Sequence, residues 1–192
     1  IDRNKFIILL PGRLTNWKGQ IIFIEAIKNL LDSQNVPSLE AIILGSDQGR
    51  NVYKKKHVGL VQQHRLNNIV KFINHCDEMP IAYSISNLVV SSSIEPEAFG
   101  RVPVEAQSME VPIVASNIGG SKETIIDGKT GFLFKSGNPK DLADTIMMAM
   151  EKDYNSLKSI GIEGRKNILK KFDVDKMCYT TFTEYKKLIE LS

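Results

Sequence analysis

Short, continuously apolar runs recur along this chain, separated by longer amphipathic stretches, and that alternation restricts the fold more than any other feature. The runs at 6–11, 39–45, 69–73, 88–91, 112–116 and 131–134 are rich in β-branched residues and apolar on both faces. Parallel strands covered by helices on both sides read this way. Between the first two runs, Ile21, Ile24, Ile27 and Leu31 make one apolar stripe at helical spacing. Further helical patterns cover 49–65 and 79–85 and start again near Gly100. After the sixth run the chain turns helical to its end, with stripes at Leu142, Ile146 and Met150, then at Cys178, Phe182, Tyr185 and Ile189. Strands that alternate with helices imply an α/β fold: a doubly wound, Rossmann-like parallel sheet with a helical C-terminus. At 192 residues and 42% hydrophobic content, one domain spanning 1–192 can bury a sizeable core without disulfides or metals. The final stripe is expected to be buried on this same domain.

Ligands of such sheets bind beyond the carboxyl ends of the strands, so the loops after Pro11, Gly45, Ile73, Ser91 and Ser116 carry the chemistry. A net charge of +3 is too small to point to nucleic acid. The densest basic patch, Lys54-Lys55-Lys56-His57, reads as a solvated helix face, with attraction to anionic lipid headgroups as the weaker alternative. Cys76 and Cys178 form no metal-ligand pattern and are expected to be reduced. Histidines 57, 64 and 75 show no metal or triad spacing, although His75 follows a strand and borders the expected site. Met147, Met148 and Met150 read as core. No apolar run approaches the ~20 residues of a membrane span and no signal peptide is visible, so the chain is expected to be cytoplasmic. It opens on Ile1 rather than Met, as a piece of a longer protein would.

Three loops stand out. In Pro11-Gly12-Arg13-Leu14-Thr15-Asn16-Trp17-Lys18-Gly19, Gly12 permits an unusual backbone conformation, and Arg13 and Lys18 can converge on one anion at the next helix's N-terminus. A surface turn with two solvated cations is the equal alternative. In Ser91-Ser92-Ser93-Ile94-Glu95-Pro96-Glu97-Ala98-Phe99-Gly100-Arg101-Val102-Pro103-Val104-Glu105-Ala106, Pro96 keeps Glu97 in the loop while Glu105 lies inside the following helix. The two carboxylates are then too far apart for a tight acid/base pair. They can contact separate parts of one extended ligand, with the backbone N–H groups of Phe99, Gly100, Arg101 and Val102 toward its phosphates. A capping Glu97 and a merely exposed Glu105 are the plainer reading. In Ser116-Asn117-Ile118-Gly119-Gly120-Ser121-Lys122-Glu123, the double glycine marks a tight turn with close backbone approach and Ser121 can cap a helix; a turn with no ligand and a ligand-facing loop are equal readings.

Taken together, these loops resemble family 4 of the retaining glycosyltransferases, over nearly the whole chain, as that family's C-terminal donor-binding domain and one half of a GT-B fold. The most specific element is the paired-glutamate motif Glu97-Ala-Phe-Gly-Arg-Val-Pro-Val-Glu105. The resemblance implies that Glu97 meets the donor sugar's hydroxyls and Glu105 the ribose. It makes Gly12-Arg13 with Lys18 a diphosphate clamp. Asp127-Gly-Lys-Thr-Gly-Phe132 and Gly119-Gly120 with Glu123 look like further family turns, and 72–75 occupies the base-binding position. Two residues depart from the pattern: Glu110 stands where Gly is usual, altering a turn, and Asn74 replaces a frequent Gly.

By the same resemblance, Arg13, Lys18 and Glu97 are the catalytic set. Gly12, Asn74, Phe99, Gly100, Arg101, Val102 and Glu105 would hold a nucleoside-diphosphate sugar, with no metal or other cofactor expected. The acceptor, a glycan or a lipid-linked one, would be held by a preceding domain that this chain lacks, onto which the stripe from Cys178 to Ile189 could pack as the alternative to burial on its own domain, and peripheral membrane contact of the full-length protein stays open. Cell-envelope polysaccharide or lipopolysaccharide assembly is the expected setting. A nucleotide-sugar epimerase or phosphorylase of the same architecture, or a binding module without catalysis, remains the alternative.

Overall fold

A computed structural model describes residues 4–33, 36–49 and 51–190. Six strands appear where the apolar runs predict them, to within a residue at either end: β1 Phe6–Pro11, β2 Leu39–Leu44, β3 Val70–Ile73, β4 Leu88–Ser91, β5 Ile113–Ser116 and β6 Phe132–Phe134. The helices are α1 Gln20–Leu31, α2 Asn51–Gln63, α3 Met79–Ser84, α4 Arg101–Ser108, α5 Ser121–Thr124, α6 Pro139–Met150, α7 Tyr154–Lys171 and α8 Val174–Glu190. Arg50, inside the expected second helix, lies outside the described residues. All strand pairs are parallel, in the order β3-β2-β1-β4-β5-β6. The chain winds outward from β1 in one direction and then from β4 in the other, so the strand order reverses between β1 and β4. The loops that follow these two neighbouring strands part there and leave a crevice.

The period-2 alternation of β1 sends its side chains to opposite faces and divides the core in two. Ile8 and Leu10 pack with Phe23, Ile24 and Ile27 of α1 and with Leu142 and Ile146 of α6. Ile7 and Leu9 pack on the other face with Tyr83 of α3 and Ala106 of α4. Each such side chain, fully buried, contributes roughly 1.5–3 kcal/mol. Helix ends follow local chemistry: the Asn138 side chain accepts from the Lys140 and Asp141 N–H groups ahead of Pro139, and Asp153 does the same for Asn155 and Ser156.

Several expectations are corrected. Ser121 is the first residue of α5 rather than its cap, a place taken by Gly120 without a side-chain hydrogen bond. Within the basic run only Lys55 and Lys56 are fully exposed, while His57 turns into the core because it falls on the apolar face of α2 with Val61. Met148 points outward, whereas Met150 is buried. Glu110 keeps the turn that Gly would make there: at φ 59° it occupies the left-handed position after α4, and the Glu110 and Val111 N–H groups return to the Gln107 and Ala106 carbonyls. That hydrogen-bond pattern normally ends on Gly. The largest correction is α8, which buries no residue; Met177, Phe182, Tyr185, Leu188 and Ile189 are all more than 60% exposed. Among the described residues no helix is long and apolar enough to cross a membrane.

Candidate functional site

The loops after β1 and β4 face each other across the strand-order reversal and are tied together at the backbone. Gly19, at φ 71°, caps α1 so closely under the β4 loop that a Cβ there would sit 1.8 Å from the Ser92 carbonyl oxygen. Only glycine fits. Ser92 Oγ donates to the Gly19 and Lys18 carbonyls at 2.9 and 3.1 Å, and the Ile94 N–H donates to the Trp17 carbonyl at 2.8 Å. The β4 loop is braced from the other side by Gly119-Gly120. The Gly120 N–H donates to the Glu97 carbonyl at 2.8 Å, and side chains at either glycine would strike the backbone of Glu97 or Phe99. The double glycine therefore props the loop that carries Glu97, and exposed Glu123 lies away from it. Likewise Asp127 and Thr130 spend their side chains on the Leu133 and Ile126 N–H groups within their own turn.

Two cavities open on this crevice. The smaller, about 270 Å³, is walled by Trp17, Lys18 and the 97–100 loop; the larger, about 380 Å³, reaches Gly45, Ser46, His75, Cys76 and Tyr83. Gly12, Arg13, Arg101, Val102 and Glu105 border both. Of the ten residues assigned from sequence to catalysis or donor binding, all but Asn74 line one or both cavities. The exposed Asn74 side chain accepts from Lys54 Nζ at 3.1 Å, while its neighbour His75, paired with Asp77 at 2.9 Å, borders the larger cavity as expected.

Lys18 and Glu97 are not independent. Lys18 Nζ donates to both oxygens of the Glu97 carboxylate, at 2.8 and 2.9 Å, and lies 4.5 Å from the Trp17 ring centre. Ser93 Oγ donates a short hydrogen bond to the same carboxylate. At 14% and 21% side-chain exposure, the pair is mostly desolvated. Glu97 sits in the loop, as Pro96 requires, and Glu105 is in α4, so the structure keeps the two acids apart. Tyr83 donates to Glu105 Oε2 at 2.6 Å, and Arg101 Nε lies 4.0 Å from Oε1. Burial, then the hydrogen bond to Glu105, pushes the Tyr83 hydroxyl well above its ordinary range, so it stays a proton donor. Sequence reasoning singled out neither Tyr83 nor Ser93. The available signal was a tyrosine within the apolar stripe of a short helix just before a strand.

This arrangement suits one long ligand. Gly100, at φ 76°, starts α4 with no side-chain cap, so the Arg101 and Val102 N–H groups are free for an anion in the smaller cavity, next to Arg13 and Lys18. A carboxylate lies at each end of that cationic patch, and carboxylates accept from hydroxyls.

A family model described as glycosyl transferases group 1 matches residues 1–167. The capsular polysaccharide biosynthesis glycosyltransferase CapM of Staphylococcus aureus is 28% identical over 169 residues, covering 88% of this chain and 43% of CapM. The chain thus spans less than half the length of that curated relative. The crystal structure of HepE from Anabaena in complex with UDP and glucose superposes with a TM-score of 0.87 at 31% identity, over 96% of this chain and 49% of HepE. The C-terminal domain of a glycosyl transferase group 1 family protein, LpcC of Francisella tularensis, superposes with a TM-score of 0.78 at 26% identity, over 88% of this chain and 87% of that domain.

Proposed function

This chain belongs to the glycosyl transferases group 1 family, and from that premise we propose that it is the donor-binding half of a retaining glycosyltransferase. The enzyme moves a sugar from a nucleoside-diphosphate sugar to a glycan or lipid-linked acceptor in cell-envelope polysaccharide assembly. The observation that carries the reading is the pair of adjoining cavities sharing Arg13, Arg101, the N-terminus of α4 and Glu105, with Glu97 in the smaller one beside Lys18. A nucleoside diphosphate lies with its base and ribose in the larger cavity and its phosphates between Arg13, Lys18 and α4. Its sugar reaches Glu97. The complex of HepE with UDP and glucose and the name of CapM support the donor class and the setting.

In the transfer step the bond from the anomeric carbon to the leaving phosphate oxygen breaks, the acceptor hydroxyl oxygen bonds to that carbon on the same face, and the hydroxyl proton passes to the departing phosphate oxygen. Negative charge grows on the diphosphate while the sugar becomes oxocarbenium-like. Arg13, Lys18 and the α4 dipole, equivalent to about half a positive charge, stabilise the departing group. Because this cationic set can supply the compensation, the proposal assigns no metal, and turnover is expected to survive a chelator. Glu97 orients the sugar and Glu105 the ribose.

The acceptor site is assigned to the part of the full-length protein outside this chain, and the exposed apolar stripe of α8 to packing against that part. Alone, this chain binds nucleotide and transfers little sugar. Calorimetry with UDP, GDP and ADP tests the site: one of the three binds, and no heat with any of them sinks the assignment.

A further inference from the structure

We propose that Tyr83 is a positioning residue, holding the Glu105 carboxylate in the one orientation that selects a ribose over a deoxyribose. The inference rests on the reading of Glu105 as the ribose carboxylate.

The geometry separates the two oxygens of Glu105. Oε2 accepts from Tyr83 at 2.6 Å, and Oε1 is the oxygen nearer Arg101, at 4.0 Å, with Glu105 lining the larger cavity. Tyr83 has no other rotamer to visit: it is 1% exposed and packed in the core layer with Leu9, Val89 and Ala106. Its hydroxyl keeps its proton, since burial and the neighbouring carboxylate both oppose ionisation. The acceptor of that proton is therefore set permanently. Glu105 itself is 39% exposed at its side chain, and Arg101, its other neighbour, is 86% exposed at a distance of 4.0 Å. Such a loose surface pair contributes little to orientation. Without Tyr83, a flexible carboxylate would choose among several rotamers and find water in most of them. With it, Glu105 is pre-ordered before ligand arrives, which is how a buried neighbour raises affinity without touching the ligand.

Tyr83 thus acts only through Glu105, and its removal is expected to weaken what Glu105 reads and nothing else. The test is calorimetry of the protein with UDP, GDP and ADP, each beside its 2′,3′-dideoxy counterpart, for the wild type, Tyr83→Phe and Glu105→Gln. Thermal unfolding of each variant monitors the fold. The wild type is expected to prefer the ribonucleotide about tenfold or more, the scale of one charge-assisted hydrogen bond. Tyr83→Phe is expected to bind the ribonucleotide several-fold more weakly, on the order of fivefold, while binding of the dideoxy form changes less than about twofold. In the double variant Tyr83→Phe/Glu105→Gln the ribose preference falls no further than in Glu105→Gln. If Tyr83→Phe weakens both forms equally, or keeps the full ribose preference, Tyr83 is only a core residue and the proposal is overturned. If Tyr83→Phe does not fold, the proposal is carried by donor kinetics with Tyr83→Leu and Tyr83→Met in the full-length enzyme, which remove the hydroxyl without overfilling the core; a raised KM at unchanged kcat supports it and a proportional loss in both overturns it. A wild type that binds nucleotide without ribose preference overturns the Glu105 reading itself, and one that binds none overturns the site.

Discussion

Replacing Glu97 by Gln should make this protein bind a bare nucleoside diphosphate more tightly while damaging transfer. Both hydrogen bonds from Lys18 Nζ end on the Glu97 carboxylate, at 2.8 and 2.9 Å. Any phosphate that recruits Lys18 must share it with that acid and also face the acid's charge. Two unit charges 4 Å apart near a protein surface interact by about 4 kcal/mol at an effective dielectric of 20, most of which desolvation offsets. Hydrogen bonds to charged groups contribute about 1.5–3 kcal/mol net and fully exposed ion pairs about 0.2–1. At 14% and 21% exposure this pair belongs between those limits, so about 1–2 kcal/mol is expected. Glu97→Gln frees that much of Lys18, and UDP or whichever diphosphate binds should gain roughly tenfold in affinity by calorimetry. The same substitution removes the contact proposed with the donor sugar, and turnover of the full-length enzyme with donor and acceptor should fall about a hundredfold. Lys18→Ala must behave oppositely in binding, weakening the diphosphate about tenfold, and similarly in turnover. Weaker diphosphate binding by Glu97→Gln would refute the view that acid and phosphate compete for one lysine.

Other consequences are simpler to read. Arg13→Ala is expected to cut turnover at least about a hundredfold with unchanged thermal stability, because Arg13 is exposed and Gln20 bonds to its backbone carbonyl, which the substitution keeps. Glu110→Gly should stabilise the protein by about 1 kcal/mol, raising Tm by roughly 2–4 °C in a thermal melt, by relieving a left-handed non-glycine residue at φ 59°. His57 should make stability pH-dependent. Burial, then Lys56, lowers its pKa below the ordinary 6.5, so the unfolded chain binds the proton first as pH falls. Stability from this group is full above pH 6.5, declines between that value and the lower folded one, and denaturant melts of His57→Gln should lack that slope.

Much of the site was legible in the sequence because its parts are local. Gly12, Pro96 and the start of α4 each follow from residues within a few positions, and the apolar runs mark the strands. What escaped was contact across the fold. The Lys18–Glu97 pair and the Tyr83–Glu105 hydrogen bond depend on β4 lying beside β1, and alternating strands and helices do not specify that order. The inward turn of His57 was hidden by three lysines before it. The stripe of α8 has the period of a buried helix, yet periodicity shows only that a face needs cover, not what covers it.

The central claim, a nucleoside diphosphate seated between the β1 and β4 loops, has a built-in reporter. Cys76 borders the larger cavity, while Cys178 is exposed on α8. Alkylation of each thiol can be followed by mass spectrometry with and without UDP, GDP or ADP. The account predicts that one of these nucleotides slows labelling of Cys76 severalfold and leaves Cys178 unchanged. Nucleotide that binds without protecting Cys76 would contradict it.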